Sequence, residues 1–90
     1  MPQAIVDPIE LRRFAGNLKR FTSDLQTGLS GLHGQMVGLG DTWRDQEHEK
    51  FREEFEQTML VLNRFIALSE EQIPFLMRKA ERIEEYLQQR

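Results

Sequence analysis

The sequence predicts an all-α fold, an antiparallel hairpin of two long helices that dimerises into a four-helix bundle. Apolar residues recur at steps of three and four along most of the chain, and no stretch alternates as a β-strand does. One glycine-rich break, at residues 38–42, divides this pattern into two long halves. Helices joined by one short turn pack as antiparallel neighbours, so the expected unit is a hairpin.

Length and composition limit what this hairpin can do. Its 90 residues form one domain, residues 1–90, with a loose arm at residues 1–6. Cysteine is absent, and the net charge of −3 argues against nucleic acid as a partner. No apolar run approaches the roughly 18 residues of a membrane span, so stable membrane insertion is not expected. The N-terminus lacks a basic region followed by an apolar core, so no cleaved signal peptide is expected either.

The first helix is predicted for residues 8–39. Asp7 can cap its N-terminus, and Pro8 suits the first helical position, where a missing N–H breaks no helical bond. The apolar seam of this helix runs through Leu11, Phe14, Leu18, Phe21, Leu25, Gly28, Leu32, Gln35 and Leu39. Its mean step of about 3.5 residues is typical of a coiled coil, and Leu29 and Met36 widen it.

The turn is predicted at residues 40–44, and the second helix at about residues 45–88. The seam of the second helix runs through Phe51, Phe55, Thr58, Leu62, Phe65, Ser69, Ile73, Leu76, Ala80, Ile83 and Leu87. Two successive steps of four, between Phe65 and Ile73, predict a stutter that locally unwinds the supercoil. Pro74 removes one backbone hydrogen bond and predicts a kink nearby; the alternative is a third helix that begins there.

The second half of the chain carries more apolar surface than one hairpin can bury. From Met59 to Leu68 only Asn63 and Arg64 are polar, so a second surface is needed to cover the rest. We expect a homodimeric four-helix bundle, or a heterodimer with a paralogue; a monomer whose segment after Pro74 folds back is the alternative. The residues predicted at the dimer or bundle interface are Phe51, Phe55, Met59, Leu62, Phe65 and Ile66.

No arrangement of residues indicates catalysis, so the chain is not predicted to be an enzyme. His48 lies among Asp45, Glu47 and Glu49, which superficially suggests a metal site. Zinc requires three or four converging ligands, whereas consecutive helical side chains diverge. We interpret this segment as a solvated acidic first turn that suits the helix dipole, and we expect no metal or cofactor.

Small residues form a strip on the first helix. Gly31, Gly34 and Gly38 fall on one side, away from the seam, together with Thr27 and Ser30. One interpretation is a weak helix end, because glycine is a poor helix former. The other is a surface where a second backbone approaches closely.

The only tryptophan lies at the predicted turn, and aromatic residues follow at a regular spacing. Phe51 is eight residues after Trp43, and Phe55 is four residues further on. This arrangement resembles the WXG family, small substrates of the ESX-type (type VII) secretion machinery, in which a Trp-x-Gly turn joins two long helices. The resemblance covers nearly the whole chain.

The resemblance also implies which residues carry recognition: Trp43, Arg44, Asp45 and Tyr86. Two positions depart from the family pattern. Asp45 stands where the family has glycine, and an aspartate there can cap the second helix. The family's export signal is a tyrosine followed four residues later by an acid. Tyr86 supplies the tyrosine, but Arg90 stands where the acid would be.

The resemblance therefore implies a secreted or co-secreted helical adaptor or effector. Its partners would be a secretion ATPase or a secreted protein, and it would be cytoplasmic before export. The alternative is a cytosolic interaction module or chaperone that holds another helical protein.

Overall fold

The structure, a computed structural model, describes residues 6–89 as two long helices packed side by side. Helix α1 spans Pro8–Leu39 and helix α2 spans Gln46–Gln88, with no strand in the described part. The molecule is a rod of 68 × 21 × 15 Å. The predicted all-α hairpin is confirmed, while its dimerisation stays a prediction. Neither helix is long and apolar enough to cross a membrane.

Aspartates cap the N-termini of both helices. The Asp7 carboxylate accepts a hydrogen bond from the Ile9 N–H at 2.9 Å, and Pro8 occupies the first helical position. The Asp45 carboxylate accepts one from the His48 N–H at 3.0 Å. Each cap satisfies an N–H group that would otherwise lack a partner in the first turn. Residues 1–5 of the predicted arm lie outside the described residues.

Small side chains occupy several of the most buried positions between the two helices. Ala15 on α1 and Ala80 on α2 are both 0% exposed, and Thr22 and Ser69 are also buried. The buried and half-buried inner positions of α1 include Leu11, Ala15, Leu18, Thr22, Leu25, Leu29 and Met36. Those of α2 include His48, Arg52, Phe55, Met59, Leu62, Ile66, Ser69, Ile73, Leu76, Ala80 and Ile83. These α2 positions alternate steps of four and three without a break, so the predicted stutter is wrong.

Phe14 and Phe21 do not lie in the seam where the sequence analysis placed them. They are 56% and 54% exposed, and the adjacent Ala15 and Thr22 point inward instead. Adjacent residues differ by about 100° around a helix, so either pair could have faced α2. Small side chains let the helix axes approach, and the larger rings are left on the outside.

Helix α2 continues through Pro74 as one helix, so no third helix begins there. Proline has no N–H to donate to the carbonyl of Glu70, and one backbone hydrogen bond is lost at this point. The predicted kink near Pro74 would be a bend in this one helix, and it stays a prediction.

An ion pair joins the helices at the open end of the hairpin. Arg12 donates to both carboxylate oxygens of Glu84, from Nε at 2.9 Å and from a terminal nitrogen at 2.6 Å. The hydrogen bond from Arg12 holds the pKa of Glu84 below its ordinary value. Both side chains remain partly open to water, so the pair fixes the register of the two helices more than it stabilises them.

Alanine at Gly31 or Gly34 should stabilise the hairpin. A Cβ at either position would meet no atom within 4 Å, so each change should raise the free energy of unfolding by up to about 1 kcal/mol. Gly40→Ala is the matched control, because its Cβ would lie 3.3 Å from the Val37 carbonyl oxygen and 3.7 Å from the His48 ring. Urea denaturation measures all three variants. No gain at Gly31 and Gly34 would show that this part of α1 is not a stable helix.

Candidate recognition site

The turn between the helices carries an aromatic cluster. Trp43 is half-buried, and its ring centroid lies 5.0 Å from that of His48 and 5.9 Å from that of Phe51. Phe51 in turn stacks on Phe55, with the centroids 6.0 Å apart. The tryptophan therefore folds back over the start of α2, and part of its surface stays open at the tip of the rod.

Backbone hydrogen bonds at the end of α1 position Trp43. The Gly40 N–H donates to the Val37 carbonyl at 3.1 Å, and the Trp43 N–H donates to the Leu39 carbonyl at 2.8 Å. The Arg44 Nε donates to the Gly40 carbonyl at 3.2 Å. These bonds use carbonyls that a helix end leaves free, and they direct the chain back toward α2.

Asp45 occupies the family's glycine position without backbone strain. Its φ of −94° and ψ of −176° are extended values that any residue adopts. The side chain of Asp45 caps the N-terminus of α2, as predicted from the sequence. Arg44 and Asp45 are both exposed beside Trp43, so the structure brings these three predicted recognition residues together.

His48 is a functional candidate that the sequence had indicated only as part of a solvated acidic turn. The residue is 7% exposed, so it is not solvated, although Glu47 and Glu49 on either side are exposed. Its Nε2 atom is buried and has no hydrogen-bond partner among the described residues. The heptad spacing could have found it, because His48 lies seven residues before Phe55 on the inner face of α2.

One side of the hairpin carries large apolar groups that the hairpin does not cover. Phe21 and Phe65 meet edge to face across the helices, with centroids 6.1 Å apart. Nearer the tip, α1 and α2 line a shallow apolar groove that includes Leu39 and Phe51. We call this surface the aromatic face and define it by Phe14, Phe21, Leu32, Leu39, Phe51 and Phe65, which are 41–56% exposed.

The six predicted interface residues divide between two surfaces. Phe51 and Phe65 belong to the aromatic face. The other four lie along the inner seam, packed against α1 of the same hairpin: Phe55, Met59, Leu62 and Ile66. The seam thus closes the hairpin, and the aromatic face is left exposed.

Tyr86 lies far from Trp43. It is 63% exposed in the last turn of α2, at the open end, whereas Trp43 is at the tip of the 68 Å rod. A single hairpin does not bring the two predicted recognition residues together. Arg90, which stands in place of the terminal acid, lies outside the described residues.

Comparisons with known proteins agree with this architecture. The family described as WXG100, proteins of 100 residues with WXG, matches residues 3–88. No curated protein gives a match. Among solved structures, the P67A mutant of the secreted protein EsxB from Bacillus anthracis str. Sterne has a TM-score of 0.80 and 30% identity, covering 94% of this chain and 96% of that chain. Wild-type EsxB in another crystal has a TM-score of 0.76 and 30% identity, covering 93% and 97%.

Proposed function

The chain belongs to the WXG100 family, and on that premise we propose that it is a non-enzymatic helical adaptor or effector exported by an ESX-like (type VII) secretion system. Its relative EsxB is a secreted protein. The observation that carries the proposal is the partly exposed Trp43 at the tip of a family-length hairpin. A tryptophan left partly open beside charged groups is a typical anchor for a partner protein.

Recognition is assigned to Trp43, Arg44 and Asp45 at the tip, and to Tyr86 at the open end. The tip residues are adjacent and accessible, and the backbone bonds of Gly40 and Trp43 close the turn whatever side chain residue 43 carries. The large indole is therefore available for binding. The partner that binds the indole would be the secretion ATPase or a co-secreted protein.

A second copy of the chain is the proposed occupant of the aromatic face. The exposed rings of this face lie along both helices, and burying them in a four-helix bundle removes a large apolar area from water. Antiparallel packing of two hairpins would bring Trp43 of one copy near Tyr86 of the other. Each end of the bundle would then carry both recognition residues. A heterodimer with a paralogue would use the same face.

Export is tested by following the chain in its own organism. An epitope-tagged copy should accumulate in the culture supernatant. Deletion of the gene for the secretion ATPase, a membrane-bound enzyme of the FtsK/SpoIIIE type, should retain the copy in the cells. A cytosolic enzyme measured in the same fractions controls for lysis. Retention in the cells of both strains would contradict export and favour the alternative, a cytosolic interaction module or chaperone for another helical protein.

A further inference from the structure

We propose that His48 is a positioning residue for Trp43, and that uptake of a proton by its ring releases the indole from the tip. The inference rests on the proposed function only in taking Trp43 as the recognition residue. It adds a regulatory property to that site: a recognition surface that changes when the His48 ring gains a proton.

The packing around His48 supports this role. The imidazole lies under the indole with a centroid distance of 5.0 Å and an interplanar angle of 51°. On another side, its Cε1 atom would be only 3.7 Å from a Cβ at Gly40, so the ring fills the space that this glycine leaves. Trp43 thus rests on His48 and Phe51, and a movement of the imidazole removes one of its two aromatic supports.

The unpartnered Nε2 atom makes this position sensitive to the charge of the ring. A neutral imidazole carries one N–H, whereas an imidazolium carries two and is a donor at both nitrogens. The Nε2 atom is buried with no acceptor in the described part of the chain. A buried charged donor without an acceptor is unfavourable, so the charged ring should move toward water.

The charged groups of α2 near His48 leave its Nε2 atom without an acceptor, and the attraction between Glu49 and a charged ring is not a hydrogen bond to Nε2. The Asp45 carboxylate accepts from the His48 backbone N–H at 3.0 Å. The Glu49 carboxylate accepts from Arg52 at 2.8 Å, and this hydrogen bond lowers the pKa of Glu49. Arg52 is itself positive, and the N-terminal end of α2 carries the positive end of the helix dipole.

The other elements at the tip do not supply an acceptor. The connecting segment contributes Asp41, which is exposed, and Arg44, which donates to the Gly40 carbonyl. The last turn of α1, residues 36–39, has no titratable side chain. The indole face does attract cations, but that attraction would not pair the Nε2–H. The cost of the unpaired Nε2–H outweighs the cation–π attraction, so release of Trp43 is favoured over tighter stacking of the indole on His48.

The chain offers a clean test, because Trp43 is its only tryptophan and His33 and His48 are its only histidines. Tryptophan emission and acrylamide quenching are measured from about pH 8 to about pH 5, the range in which imidazole takes up a proton. Wild type and His33→Gln, which alters an exposed histidine, should show a red shift and stronger quenching as the pH falls. His48→Gln should show no transition.

A second variant separates positioning from folding. His48→Phe keeps an aromatic support that cannot be protonated, so its emission should stay blue-shifted at every pH, with unchanged far-ultraviolet circular dichroism. A transition that persists in His48→Gln or His48→Phe, a flat wild-type profile, or tighter packing in acid would overturn the proposal. So would a transition that depends on protein concentration, because it would report dissociation. These readings need no partner, so they are independent of whether export is observed.

Discussion

Ile66→Ala should lower the free energy of unfolding by about 2–5 kcal/mol, the range for truncation of a buried aliphatic side chain. Ile66 is 4% exposed in the seam against α1, so truncation removes contacts and leaves a cavity between the helices. A hairpin with one thin seam has few other contacts to compensate. Chemical denaturation followed by circular dichroism measures the loss.

Phe65→Ala is the matched control, because the neighbouring residue points to the other surface. Phe65 is 41% exposed on the aromatic face, so its truncation should affect assembly more than hairpin closure. Sedimentation equilibrium at micromolar concentration should find a dimer for wild type and a shift toward the 10.7 kDa monomer for Phe65→Ala. Dilution should lower the apparent stability of wild type but not of a monomeric variant.

Two outcomes would contradict this division of surfaces. A wild-type chain that sediments as a monomer would remove the aromatic face as a dimer interface. Equal losses of stability in Ile66→Ala and Phe65→Ala, with no change in assembly, would show that both residues serve the hairpin alone.

The sequence was sufficient for the fold class because its signals agreed with one another. Asp7, Pro8 and Asp45 indicated where the helices begin, and the step of three and four persisted on both sides of a single break. The identity of the seam was harder to predict. Phe21 is more apolar than Thr22, so hydrophobicity alone favoured the wrong side.

Helix packing, rather than hydrophobicity, determines which residues lie in the seam. Ala15, Thr22, Ser69 and Ala80 face inward because small side chains permit close helix packing, which a hydrophobicity pattern does not weigh. The same cause explains the apparent stutter in the second helix. The predicted seam mixed inner positions such as Ser69 with positions on the aromatic face.

The candidate site was predicted in part. Trp43 was expected at the turn and lies there, because a unique aromatic residue beside a glycine-rich break is a local signal. The burial of His48 was not expected, because its acidic neighbours made the segment look solvated. Residue 48 faces α1 because of its position in the heptad repeat of α2. The correct heptad assignment would have predicted this.

Trp43→Ala should leave a folded helical dimer and abolish recognition by the export machine or partner. The indole is half-buried on His48 and Phe51, so its loss should lower the midpoint of thermal unfolding by less than about 10 °C on the scaling for a domain of this size. The alternative is that Trp43 plugs the tip, in which case truncation should cost about 3 kcal/mol or more, as for a buried aromatic residue.

Phe75→Ala gives the matched control for the recognition measurement. Phe75 is an aromatic residue of α2 that is 52% exposed and lies far along the helix from the tip, so its truncation removes similar surface without touching the turn. Thermal unfolding and export to the culture supernatant are measured for both variants. Parental export of Trp43→Ala would defeat the recognition role whatever its stability, and equal loss of export in Phe75→Ala would show that the tip is not special. Recognition at the tip requires that only the tryptophan variant stays in the cell while both remain folded.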